Sequence, residues 1–575
     1  MLAGALVILY FLFLGAAPLA SPDEGRYAEI AREMVASGDW VTPRLNGVAY
    51  FEKPPLVYWS VAICYKLLGA SEWSMRITPA LFALGGVAFT YFAARKFFGH
   101  LAGLLAGMVL GSSAFYFALG RILLLDMVVS VLISSTLFFF ILGVRETRAH
   151  RRRKFFYGLY LSAALATLSK GLIGFLLPGA VMFVWLLVFC QWRRLRPLYL
   201  PSGLLLFLIV TVPWHVLAAD RNPSWAHFYF VHEHWERFTT TAHSRVQPWW
   251  FFLPVVLFGL FPWAGFLGAV PATLRGWSQR RENADVWFFV VWAGFIFLFF
   301  SASQSKLPPY VLPVFPPLAV LMGAGLARSI SERVSPCVKA GFIVFSFLSV
   351  LLTAALVFVV LRPAIARIDA GQALALQPFA FAMAGSLFAG SLCTLWLFRK
   401  GRVVPAIIGL LTATGLFFAT LAVAAEKIQR AGTRELARYV TARLPPDAPL
   451  FHYHDFFHDF VFYSRRFVGT VEYHGDELEL VNDPIARGSG RFIDEDAFRK
   501  RWQSPERIYV VVRKKKLRDL RRDYDAQSLK QKEAARGAVP LIDSLPLPSV
   551  LIDPISNFHV VRETADHYLF SNRDS

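Results

Sequence analysis

Long apolar runs fill the first three-quarters of the chain and recur with short polar breaks between them. A helix needs roughly 20 mostly apolar residues to cross a hydrocarbon layer about 30 Å thick. Thirteen runs approach that requirement, near residues 1–20, 78–98, 101–119, 122–144, 155–169, 171–191, 198–218, 249–270, 286–301, 307–327, 338–361, 378–398 and 403–424. The first ends on Ala17-Pro18-Leu19-Ala20, in the manner of a signal-peptide cleavage site. It has no basic residue at its start, however, and reads as a span. After Ala425 the pattern changes. Strand-like runs such as Ile508-Tyr509-Val510-Val511-Val512, and a helical start after Thr433, predict a small α/β domain. The expected architecture is a polytopic α-helical membrane domain of about 13 transmembrane helices, residues 1–425, followed by an α/β domain over 426–575.

Charge fixes the orientation. Only 17% of the 575 residues are charged and 56% are hydrophobic, whereas a soluble chain carries about 25% charged residues. The net charge of +20 would suit a nucleic-acid binder, but residues 1–425 hold +18 of it and residues 426–575 only +2. An excess confined to the membrane part marks cytoplasmic loops, not a nucleic-acid surface. The alternate loops 95–100, 145–154, 191–197, 272–285, 328–339 and 399–402 hold 20 Lys and Arg in 53 residues. That places the N-terminus inside, and residues 21–77, 219–248 and 426–575 in the periplasm or outside the cell. The spacing of Cys64, Cys190, Cys337 and Cys393 fits neither a disulfide framework nor a metal knuckle. In the tail, Arg513-Lys514-Lys515-Lys516 reads as a solvated strand end.

The unusual polar residues lie on the exterior side. Loop 21–77 opens with Ser21-Pro22-Asp23-Glu24-Gly25-Arg26 and predicts an amphipathic helix, because Tyr27, Ile30, Ala31 and Met34 follow helical spacing. The bland reading is a helix lying on the membrane surface with rim charges. Further on, Glu52-Lys53 is a charged pair held beside Pro54-Pro55, before an interfacial apolar stretch at 56–68. Asp126 falls inside an apolar run, where an acid is costly unless it meets a partner or a polar cavity. Either it pairs with Arg121 or it faces a cavity that Asp23 shares. Lys53, Lys170, Arg237, Arg245 and Lys306 flank spans on the same side. Each alone reads as a snorkelling interface charge; together they suit a lipid phosphate. His232-Glu233-His234 and His452, His454 and His458 have ligand-like spacing but match no zinc signature, and read as surface or interfacial histidines. Nucleotide-binding glycine loops are absent from the sequence. An activated substrate would therefore arrive on a lipid.

Asp23-Glu24-Gly25-Arg26-Tyr27-Ala28-Glu29, Gly38-Asp39-Trp40, Leu45-Asn46-Gly47, Tyr50-Phe51-Glu52-Lys53-Pro54-Pro55, Ser169-Lys170-Gly171 and Ser305-Lys306-Leu307-Pro308-Pro309-Tyr310 together resemble the bacterial aminoarabinose transferases of lipid A (ArnT type). These are distant relatives of the protein O-mannosyltransferases and have the GT-C glycosyltransferase fold. The resemblance implies transfer of 4-amino-4-deoxy-L-arabinose from undecaprenyl phosphate to lipid A phosphate, at the periplasmic face of the bacterial inner membrane. It implies Asp23 as the catalytic acidic residue and Asp126 as the second acidic position. It also implies Lys53 at the carrier phosphate, Arg26 and Glu52 lining the cavity, Lys170 in a shared motif, and Arg237 and Tyr310 as phosphate contacts. No cofactor is required by such a reaction; were a divalent metal to take part, Glu52 and His232 would be the ligands to test. The same motifs leave open a polyprenyl-phosphate-sugar transferase acting on protein or on another glycolipid. A transporter or a polytopic sensor fits less well, since the chain shows no internal repeat and its unusual polar residues lie within 21–126.

Overall fold

The computed structural model describes residues 2–223, 225, 229, 247–274, 277–332, 334–363, 365, 370–429, 432–473, 488–519, 522 and 559–573. The chain divides into two compact units. One comprises Met1–Ala17 with Phe51–Ile428, and the other Pro18–Tyr50 with Gln429–Ser575.

The first unit, among its described residues, is built of helices. Among the described residues, eight helices are long and apolar enough to cross a membrane: Glu72–Phe98, Leu125–Arg145, Leu200–Arg221, Ala284–Ala302, Pro308–Ser331, Pro336–Leu361, Gly371–Arg399 and Val403–Ile428. The other five expected spans take different forms among the described residues. The first helix stops at Phe11, and Ile173–Phe189 has 17 residues. Ala149–Lys170 is long enough at 22 residues, but its first turns carry Arg151, Arg152, Arg153 and Lys154. Run 101–119 breaks into His100–Gly111 and Ala114–Leu119. There Ser112 and Ser113 turn their hydroxyls back onto the carbonyls of Met108 and Val109, at 2.6 Å each, a bond that competes with helix continuation. Run 249–270 breaks after Gly259.

These two interruptions satisfy one another. Ala114 N–H donates to the carbonyl of Phe261 at 2.9 Å, and the Trp263 indole donates to the Ser112 hydroxyl at 2.9 Å. Backbone left unpaired at membrane depth costs several kcal/mol, so a broken helix there needs such a partner. The end of the first helix is held the same way. Arg121 donates to the carbonyls of Leu9, Tyr10 and Leu12 at 2.8, 2.8 and 2.7 Å. Arg76 donates to those of Leu14 and Ala17 at 3.1 and 2.8 Å.

Four loops that charge places on one side also meet. Arg194 and Arg145 flank Asp285 at 2.6 and 3.4 Å, and the Arg145 guanidinium lies 4.1 Å from the centre of the Phe97 ring.

The second unit is α/β. Strands β1 (Arg44–Leu45) and β2 (Val48–Ala49) form a hairpin. Its Asn46-Gly47 turn has φ of 56° and 78°, the two positive values that a tight hairpin of this kind needs. The main sheet contains β3 (Leu450–Tyr453), β4 (Gly469–Val471), β5 (Phe492–Ile493), β6 (Tyr509–Arg513), β7 (His559–Glu563) and β8 (His567–Ser571). Their order is β5-β4-β3-β6-β8-β7, parallel from β5 to β6 and antiparallel beyond. Phe451, Tyr453, Val471, Phe498, Trp502, Val510 and Phe570 pack one core cluster. The Asn46 side chain docks the hairpin by exchanging two hydrogen bonds with the Val468 backbone, at 2.9 and 3.0 Å. Segment 18–50 is therefore part of the same compact unit as the tail, although 378 residues separate them in the chain.

Two surface readings need correction. His452 and His458 are buried, not interfacial, and His452 packs edge-on against Phe457 and Phe460. Burial holds His452 well below the ordinary histidine range, and holds His567 down to about 4. The helix Asp23–Ser37 is likewise no surface helix, since every residue from Glu24 to Met34 is buried. Arg513, by contrast, pairs with Asp455 at 3.2 Å and Lys514 with Glu563 at 2.5 Å, as a solvated strand end would.

Arg121→Ala removes three charge-assisted bonds from the end of the first helix at once. Each such bond contributes about 1.5–3 kcal/mol, so the thermal midpoint in detergent should fall steeply. Arg121→Lys, which keeps the charge without the fork, should fall less.

Candidate active site

The helix Asp23–Ser37 starts immediately after Ser21-Pro22, with Asp23 and Glu24 in its first turn. Acids there are favoured by the helix dipole. The Asp23 carboxylate is half exposed and lies 3.4 Å from the buried Arg26 guanidinium. Arg26 also donates to the Tyr50 hydroxyl at 3.2 Å. One turn further in, Arg32 makes a two-pronged contact with Glu29, 2.6 Å on each arm. Glu33, buried behind it, accepts the N–H of Gly47 at 3.0 Å. Burial, and then the adjacent Glu29 carboxylate, push Glu33 up to about 8, although Gly47 and Arg32 pull the other way.

The first unit carries a second polar cluster. Asp126 sits in the first turn of Leu125–Arg145, and Lys170 is the last residue of the following helix, Ala149–Lys170. Successive helices joined by a short loop run antiparallel, so the start of one and the end of the next lie at the same end. The dipole favours an acid at the first place and a cation at the second. The two side chains form an ion pair, and the Lys170 ammonium lies 4.9 Å from the centre of the Tyr310 ring. Cation–ring contact of this kind adds roughly 0.5–2 kcal/mol, most where water is excluded. Asp126 thus has a partner, and it is not Arg121, whose guanidinium is committed to the carbonyls of the first helix. The sequence signal for Lys170 was present in the helix order; proximity along the chain pointed to Arg121 instead.

Glu52 and Lys53 lie side by side just inside the first unit. Their charged groups are 3.9 Å apart, and Lys53 Nζ also donates to the Glu52 carbonyl at 2.7 Å. Lys306 is buried and directs its ammonium to the carbonyls of Gln247 and Ser303, the former at 3.0 Å, so it acts as a backbone clamp. Arg237, Arg245 and His232 lie outside the described residues. Among those described, no group of three or more His, Cys, Asp or Glu side chains is placed to hold a metal.

Comparison with known proteins bears on this arrangement. Residues 52–216 match a family profile described as dolichyl-phosphate-mannose-protein mannosyltransferase. The undecaprenyl phosphate-alpha-4-amino-4-deoxy-L-arabinose arabinosyl transferase of Edwardsiella ictaluri is 31% identical over 334 residues, which is 58% of this chain and 60% of the relative. The matched region thus spans less than two-thirds of that relative's length. The crystal structure of ArnT from Cupriavidus metallidurans bound to undecaprenyl phosphate superposes with a TM-score of 0.80 at 30% identity, over 100% of this chain and 97% of that one. The chain belongs to the ArnT family. A likeness at a TM-score of 0.50 to the oligosaccharyltransferase of Archaeoglobus fulgidus, 12% identical over 91% of this chain and 70% of that one, concerns the fold alone. The GT-C architecture expected from the motifs is the one found.

For this ArnT-family chain, two tests follow from the clusters. Removing one member of a part-buried ion pair strands the other charge, which costs more than removing both. Asp126→Asn and Lys170→Met should each lower the yield of monodisperse protein, and the double variant should recover yield. Size-exclusion profiles of the three variants check this.

The second concerns Glu33. Its folded pKa of about 8 stands above the reference value of 4.5, so the folded unit holds a proton that the unfolded chain releases. That contribution is fully present below about pH 4.5 and is lost as pH rises to about 8. The melting temperature of wild type, relative to Glu33→Gln, should fall across that window and level off above it.

Proposed function

We propose that the chain transfers 4-amino-4-deoxy-L-arabinose from undecaprenyl phosphate to a phosphate of lipid A, at the periplasmic face of a bacterial inner membrane. The observation that carries this reading is the near full-length likeness to an ArnT solved with undecaprenyl phosphate. The name of the Edwardsiella relative supports the sugar.

In this reading the bond from the sugar's anomeric carbon to the carrier phosphate breaks, and a bond to the acceptor phosphate oxygen forms. The donor diester leaves as undecaprenyl phosphate, a monoester, and the acceptor monoester becomes a diester. The leaving group is a stable phosphate that needs cationic stabilisation more than a proton. Lys53 takes that role, with Arg237 as its helper. The acceptor phosphate is already ionised at neutral pH and is its own nucleophile. Asp23 accordingly orients the sugar amine or balances the charge that develops on the ring, with Arg26 fixing the carboxylate. Were the acceptor a hydroxyl, Asp23 would have to serve as a base. Asp126, Lys170 and Tyr310 form a prearranged polar group, and the Lys170 ammonium is a further phosphate contact. This reading requires no cofactor. Glu52 and His232 would be the ligands of a metal if transfer proved sensitive to chelation.

The mannosyltransferase profile over residues 52–216 favours one second reading, the same lipid-linked chemistry with a protein acceptor. Purified protein given the lipid-linked aminosugar should modify lipid A and leave a Ser/Thr peptide untouched, as mass spectrometry of both acceptors would show. Labelled peptide with unlabelled lipid A would transfer the case to the second reading. Asp23→Asn should abolish transfer while the protein stays folded. Lys53→Ala should weaken donor binding and slow single-turnover transfer, and Lys53→Arg should restore binding better than turnover, because the guanidinium keeps the charge but changes its reach.

A further inference from the structure

Asp23 stands at a chain position that is pinned on both flanks, and both pins come from one short helix of the tail, His458–Ser464. Upstream, the Leu19 N–H donates to the Tyr463 hydroxyl at 2.8 Å. Downstream, Gly25 lies so close to the start of the same helix that an added Cβ would fall 2.4 Å from the Asp459 amide nitrogen and 2.8 Å from the His458 carbonyl carbon. These neighbours are backbone atoms, which cannot swing aside. The pinning helix is itself fixed. The buried Asp459 carboxylate accepts the Thr433 N–H at 2.7 Å, where the helix Arg434–Arg443 begins. Between the pins, the segment closes on itself, with Ala20 N–H donating to the Glu24 carboxylate at 2.9 Å.

We propose that His458–Ser464 is a two-point clamp that positions Asp23 for transfer, with Tyr463 and Asp459 as positioning residues acting through Leu19 and Gly25. The inference rests on the reading that Asp23 works at the reacting sugar. A carboxylate that orients a substrate must be held to within a fraction of an ångström, and a displacement of about 1 Å can cost up to about a hundredfold in rate. A half-exposed side chain on the first turn of a helix has no such precision of its own. The clamp also assigns the tail a task in catalysis beyond folding.

The test uses the full-length purified protein with undecaprenyl-phosphate aminosugar and lipid A. Tyr463→Phe removes one hydroxyl and leaves the ring, and Gly25→Ala lifts the first turn off its seat. Each should lower kcat roughly tenfold, with donor affinity within twofold of wild type, and each should raise amide exchange over residues 19–26. Loss of folded protein with normal kcat in the remainder would mean ordinary packing and would overturn the clamp. So would wild-type kcat in both variants beside an inactive Asp23→Asn, a result that leaves the role of Asp23 standing. Full activity in Asp23→Asn overturns that role instead, and the catalytic meaning of the clamp with it.

Discussion

Hydrocarbon offers no partner to a polar group, and the membrane unit is organised around that lack. At three places among the described residues where its helices break or end, the freed backbone is met from within the protein. The interruption at Ser112-Ser113 and the one near Phe261–Trp263 exchange bonds with each other. The end of the first helix is covered by Arg76 and Arg121, which reach five carbonyls between them. Irregular backbone is tolerated at such depth only when it is satisfied in this way.

The same constraint sorts the charged side chains. At one end of the long helices, Asp285 lies between Arg145 and Arg194; at the other end, Asp126 meets Lys170 beneath the Tyr310 ring. The first group gathers residues from the loops that are richest in Lys and Arg. The second has one acid and one cation, each at the helix terminus whose dipole suits it. An ordered pair costs little to maintain there and leaves polar groups oriented before any substrate arrives.

Much of this was legible in the sequence. Length and hydropathy alone locate the eight long helices, and loop charge predicts which ends meet, as Phe97, Arg145, Arg194 and Asp285 do. Three kinds of information escape hydropathy and loop charge. Serine back-bonding at 112–113 shortened a span that hydropathy counted as whole. The partner of Asp126 was 44 residues away, not five. And the helix Asp23–Ser37 carries an amphipathic stripe, yet its charged side is buried too, because Glu29 and Arg32 satisfy each other inside the unit. The candidate residues themselves were found by motif. Arg26 and Tyr50 touch as neighbours in one unit, while Arg237 and His232 fall outside the described residues.

The Asn46–Val468 docking carries a consequence for how the molecule is made. Residues 18–50 leave the ribosome first, but the strands and helices they pack against follow only after residue 429. At a synthesis rate of about 5–20 residues per second, that interval is roughly 20–80 s. Throughout it the segment that bears Asp23 lacks the rest of its compact unit, and its polar helix must wait while the intervening helices are made. Translation thus imposes an order in which the helices of the first unit are made before the second unit, Asp23 included, can close.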